Sequence, residues 1–133
     1  MTEPHILIVD DDPEIRWGTS LRVQSLGHQV DTACDGEEAM EKVTADAPIL
    51  ILMDIRMPRL DGLSALRRLQ ADPATQRIPV VMASASPNDQ ENSFELGAKY
   101  FLRKPYSNEA LAAAIHSAIA SSGQNSMTPS IIL

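Results

Sequence analysis

A single cysteine, Cys34, stands among 133 residues, so no disulfide can close within the chain, and a reduced, cytoplasmic setting is expected. The first residues lack the basic-then-apolar layout of a secretory signal. Long apolar runs are also missing. The longest, Ile6-Leu7-Ile8-Val9 and Ile49-Leu50-Ile51-Leu52-Met53, fall far short of the roughly 20 residues needed to cross a bilayer, so no membrane insertion is expected. Cations are scarce: 11 Lys and Arg face 18 Asp and Glu, a net charge of −7. A surface of that sign repels phosphate backbones, which argues against direct nucleic-acid binding. No internal repeat or long low-complexity tract is found. The hydrophobic fraction of 44% and charged fraction of 22% are those of an ordinary folded chain, and the length suits one domain.

The two apolar runs are short, rich in β-branched residues and without alternation, which fits strands covered on both faces of a parallel sheet. Asp12-Pro13-Glu14 reads as an N-cap with proline at the first helical position, opening a helix with Ile15, Leu21 and Leu26 as its apolar stripe and Gly27 as its stop. Gln29 to Ala33 alternates weakly as a second strand, followed by a helix over Glu37 to Ala45 that presents Ala39, Met40 and Val43. The pattern continues with a strand at Ile49 to Asp54, a helix at Gly62 to Ala71 and a strand at Pro79 to Ser84. A weakly amphipathic helix at Asn88 to Leu96, a strand at Tyr100 to Arg103 and an Ala-rich helix at Asn108 to Ala120 complete it. Five strands alternating with five helices require right-handed crossovers, hence a doubly wound α/β domain with a five-stranded parallel sheet. Residues 1–120 are assigned to this domain, and 121–133, rich in Ser, Gly, Gln and Asn, to a flexible tail or the start of a linker.

In such folds, chemistry sits at the carboxyl ends of the strands. Strand one ends in Asp10-Asp11-Asp12, strand three in Asp54, strand four in Ser84 and strand five in Lys104-Pro105. Crowded carboxylates repel one another unless a hard divalent cation lies among them, and Mg2+ is the expected ion. A lysine ammonium and a serine hydroxyl near the same point suit phosphoryl oxygens. A carboxylate can attack phosphorus to form an acyl phosphate, and Asp54, alone at the end of the central strand, is the expected nucleophile. Each residue alone has a plainer reading: Asp54 as a loop-opening acid, Asp10 to Asp12 as helix-capping acids, Ser84 as a turn residue, Lys104 as a solvated cation. Their joint placement favours the chemical reading.

These pieces, in this order, resemble the receiver domain of two-component response regulators, over roughly residues 4 to 120. The matching segments are Ile6 to Pro13, Leu52 to Pro58 with Asp61-Gly62, Ile78 to Ala85, and Leu102 to Tyr106. The resemblance implies a flavodoxin-like sheet of order 2-1-3-4-5. It implies that Asp54 is phosphorylated, that Asp11 binds Mg2+ directly, that Asp10 helps through water, and that the backbone carbonyl of Arg56 is a further ligand. Lys104 would pair with Asp54 at rest and with the phosphoryl group afterwards, across a cis Lys104-Pro105 bond. Ser84 would swing its hydroxyl toward the phosphoryl group as Phe101, at the aromatic switch position, turns inward, changing the surface of helix four, strand five and helix five. The Arg56 guanidinium could touch the phosphoryl group or extend into solvent. The implied partners are a sensor histidine kinase or histidine phosphotransfer protein as donor and a downstream protein as target.

Trp17 lies on the helix that family members offer to the donor, and partial exposure is expected of it. His5, His28 and His116 show no ligand spacing and read as incidental; Arg59, Arg67 and Arg68 read as a solvated face. Two other functions stay open. Val9-Asp10-Asp11-Asp12 also satisfies the Asp-x-Asp pattern of haloacid-dehalogenase-like phosphatases, which would make Asp10 a nucleophile. A phosphorylation-independent adaptor is the third reading.

Overall fold

The computed structural model describes residues 3–121; the assigned tail, apart from its first residue, lies outside the described residues. Five strands, β1 (His5–Val9), β2 (Gln29–Ala33), β3 (Leu50–Asp54), β4 (Val80–Ser84) and β5 (Tyr100–Arg103), alternate with five helices. These are α1 (Pro13–Ser25), α2 (Gly36–Ala45), α3 (Gly62–Ala71), α4 (Asp89–Glu95) and α5 (Asn108–Ala120). The sheet is parallel throughout, in the order β2-β1-β3-β4-β5, as the crossover argument and the resemblance require. Several ends differ by one residue from the expected ones. β4 starts at Val80 because Pro79 has no amide to give the ladder, although its carbonyl still accepts from Ile51 at 3.0 Å.

β1, β3 and β4 are buried along their whole length. Successive residues feed opposite cores, so the two-sided burial read from the unbroken apolar runs is observed. Leu7, Val9, Ile51, Met53 and Met82 join Ala39, Val43, Leu66 and Leu69 of α2 and α3. On the other face Ile6, Ile8, Leu50, Leu52 and Val81 join Val23 of α1 and Leu111, Ala114 and Ile115 of α5. β2, at the edge, is half exposed.

The stripe assigned to α1 is corrected. Ile15, Leu21 and Leu26 are each more than 40% exposed, and the helix buries Thr19, Ser20 and Val23 instead. The cause is compact polar packing: Ser20 Oγ donates to the Arg16 carbonyl at 2.8 Å, and among the described residues no buried side-chain polar atom is left without a partner, so these small side chains reach the sheet at little cost. The helix phase is set at its start, where the Asp12 carboxylate accepts from the amides of Glu14 and Ile15 and Pro13 begins the first turn. Gly27 (φ 97°) and Gly97 (φ 106°) carry the chain through the left-handed region after α1 and α4. Among the described residues no helix is long and apolar enough to cross a membrane.

Candidate functional site

Because the strands are parallel, the carboxyl ends of β1, β3, β4 and β5 open on one edge of the sheet. β1 runs into Asp10, whose amide donates to the Ala33 carbonyl at 3.1 Å. β3 ends at Asp54, followed by a tight loop in which the Gly62 amide donates to the Ile55 carbonyl at 2.9 Å. The Lys104 amide donates to the Ser84 carbonyl at 2.9 Å, and the next bond, Lys104–Pro105, is cis as the resemblance implied.

Asp10, Asp11 and Asp54 each place one carboxylate oxygen within 4.8 Å of the others. Asp10 and Asp54 are buried and Asp11 is exposed. This donor set fits Mg2+: all ligands are hard oxygens, and the open Asp11 side leaves room for the waters that ion keeps. Asp12, next in the acidic run, caps α1 as its Asp-Pro-Glu setting predicts. Lys104 Nζ lies 3.1 Å from Asp54 Oδ1 and 3.2 Å from Asp10 Oδ2, so one ammonium braces two carboxylates. Asp10 Oδ1 accepts the Asp12 amide at 3.0 Å. Burial pushes the Asp54 carboxyl above its ordinary pKa against the pull of Lys104, with Asp10 and Asp11 adding to the rise. For Lys104 burial works toward neutrality, but the charges of Asp54 and Asp10 outweigh it and raise its pKa.

The Arg56 side chain is 69% exposed, so it extends into solvent as one of the two expected directions had it, and its tip finds a partner there. Its guanidinium bonds Asp89 Oδ2 at 3.0 Å and Oδ1 at 3.3 Å, pinned across the cleft that Asp11, Asp61 and Asp89 help to line. Ser84, 1% exposed, donates to Asp89 Oδ2 at 2.6 Å and accepts the Ser86 amide at 3.1 Å. Phe101 is buried with the α2 and α3 side of the core while Ser84 sits on Asp89. The ring thus lies inward while the Ser84 hydroxyl is bonded to Asp89. A phenylalanine has no hydroxyl to keep it at the surface, so burial of its ring needs no signal.

Asp89, which bonds both Arg56 and Ser84, is the neighbour of these candidates that the sequence does not reveal. It reads as an ordinary first-turn acid of α4, and its link to Arg56 joins positions 33 residues apart, which no local spacing reveals. Five residues after the serine at the end of β4, it was findable only as an acid within one short loop of that hydroxyl.

The remaining candidates fall elsewhere. Trp17 is 68% exposed on α1, more open than expected. Arg59 bonds Asp35 at 2.9 Å and Arg68 reaches Glu37 at 3.6 Å. His28 and His116, remote in sequence, line one apolar groove with Leu26 and Ile119, away from the acidic cluster.

The profile of the response regulator receiver domain matches residues 6–116. A gliding motility regulatory protein of Myxococcus xanthus is 45% identical over 113 residues, 83% of this chain but 14% of that protein. A probable transcriptional regulator, ycf27, of Cyanidium caldarium is 38% identical, covering 85% of this chain and 45% of its own length. The chain thus spans half or less of these relatives. The receiver domain of a Pseudomonas aeruginosa sensor histidine kinase, solved with a magnesium ion in its active-site cleft, superposes with a TM-score of 0.82 at 31% identity, covering 90% of this chain and all of that one. The chemotaxis protein CheY4 of Vibrio cholerae gives 0.80 at 28% identity, covering 88% and 99%.

Proposed function

Since this chain belongs to the receiver-domain family of two-component response regulators, a family of signalling domains, we propose that it accepts a phosphoryl group on Asp54 from a histidine kinase or histidine phosphotransfer protein in the cytoplasm. The observation that carries this reading is the brace of Lys104 on Asp54 and Asp10 beside the three-carboxylate cluster. An oxygen of the Asp54 carboxylate attacks phosphorus in line. The new P–O bond forms as the P–N bond to the donor imidazole breaks, and the bonding pair leaves with the imidazole nitrogen. Lys104 shifts from the Asp54 carboxylate to an equatorial phosphoryl oxygen, meeting charge where it develops. Asp10, Asp11, Asp54 and the Arg56 carbonyl would hold Mg2+, which would neutralise charge on the phosphoryl oxygens. Ser84 donates to another of them once its hydroxyl has turned. The changed surface around α4, β5 and α5 then engages a downstream protein, and the acidity of the domain keeps it off nucleic acid directly.

The test is intact-mass spectrometry after incubation with acetyl phosphate or phosphoramidate and Mg2+. One phosphoryl adduct is expected on the wild type and none on Asp54→Asn or without Mg2+. Phosphate release that survives in Asp54→Asn would move the chemistry to Asp10 and a phosphohydrolase. A wild type that stays unmodified would leave an adaptor.

A further inference from the structure

The hydroxyl of Ser84 is already spoken for. It lies 2.6 Å from Asp89 Oδ2, and both residues are buried. An O–H···O− bond of this length is among the stronger kinds available to a protein. The oxygen is held from its other side by the Ser86 amide, and Asp89 is itself fixed by Arg56 on both oxygens and by its backbone carbonyl, which accepts from Ser93 Oγ at 2.8 Å. A serine hydroxyl has one proton. It cannot donate to Asp89 and to a phosphoryl oxygen on Asp54 at the same time, so these two bonds exclude each other.

We infer that Asp89 is a positioning residue: it latches Ser84 in the resting orientation, with Arg56 holding the latch in place, and so sets how readily the domain switches. This rests on Asp54 being the acceptor. A ligand that mimics the phosphoryl group and needs the Ser84 hydroxyl must break the latch, and its affinity falls by the population held closed. Asp89 touches neither donor nor acceptor; it acts only through Ser84.

The test is calorimetric titration of the full chain with beryllofluoride, a mimic of the phosphoryl group, in excess Mg2+. The variants are Asp89→Ala, Asp89→Asn, Ser84→Ala and the double variant Ser84→Ala/Asp89→Ala. The wild type binds. Asp89→Ala binds about tenfold more tightly, the scale of a lost charge-assisted hydrogen bond, and Asp89→Asn, which keeps size and a neutral acceptor, falls between. In the Ser84→Ala background the Asp89 change has no further effect. That cancellation separates the latch from a second route, in which removing Asp89 frees the Arg56 guanidinium for the ligand, since this gain would persist without the serine. A gain that persists, or affinity that is unchanged or lower in Asp89→Ala, overturns the latch while wild-type binding leaves the acceptor reading standing. Wild type that does not bind overturns both. Should Asp89→Ala not fold, Asp89→Asn in the two serine backgrounds is judged by the same criteria.

Discussion

Gly62 packs directly against the backbone of Asp54. A Cβ at Gly62 would run into the Asp54 carbonyl oxygen, and it would stand 2.8 Å from Ile55 Cα, both fixed parts of the chain that cannot rotate away. The first turn of α3 is thereby clamped beneath the loop that follows Asp54. Gly62→Ala is expected to lower stability by about 3 kcal/mol, at the upper end of ordinary overpacking, and to slow adduct formation at Asp54. Urea denaturation and the mass assay check both.

The acidic cluster gives a second expectation. Three carboxylates share the cleft with one ammonium, so adding Mg2+ should stabilise the fold as any ligand of the native state does, by about 1.4 kcal/mol at ten times the dissociation constant. Asp11→Asn should lose most of that increment while folding normally without the ion, because Asp11 is exposed and caps nothing. Thermal melts with and without Mg2+ read the difference.

A pH dependence follows from Asp35 at the start of α2. The Glu38 amide bond, with the bond and charge of Arg59, holds its carboxyl below the ordinary range in spite of burial. A depressed folded pKa means the stabilisation is present above the unfolded value, about 3.9, and is lost as pH falls through the folded one. Asp35→Asn can still cap the helix but carries no charge. Its urea midpoint should be lower than wild type at pH 7, and the gap should narrow below about pH 4 and then close.

Trp17 separates donor docking from chemistry. With 68% of the residue in water, Trp17→Ala should change stability little. It should slow transfer from a histidine phosphotransfer protein, for which a large exposed aromatic is a natural anchor, and leave the reaction with phosphoramidate unchanged. Parallel time courses with the two donors test this.

The sheet was legible because unbroken apolar runs such as Ile6 to Val9 leave little choice but two-sided burial, and because each acid or lysine of the cluster ends its strand or follows it directly. Asp10, Asp54 and Lys104 could therefore be brought together from their positions alone. The failures share a cause. Hydropathy ranks Ile15 and Leu21 above Thr19 and Ser20, whereas α1 meets the sheet through the small side chains of Thr19, Ser20 and Val23. The Arg56–Asp89 pair is not legible, since its acid comes from a different loop and a pair joined through tertiary structure has no period to detect.

The all-parallel ladder has one more consequence, for how the molecule tolerates change. Asp10, Asp11, Asp54 and Lys104 sit at or just past the carboxyl ends of strands, whereas the loops that lead into β2, β3 and β4 open on the opposite rim. A few residues spliced in near His28, Asp46 or Ala74, all outside the regular elements, should be absorbed with the chemistry intact. The same insertion near Met57 or Ser86 would dismantle it. The fold thus separates a rim free to drift from a rim that cannot.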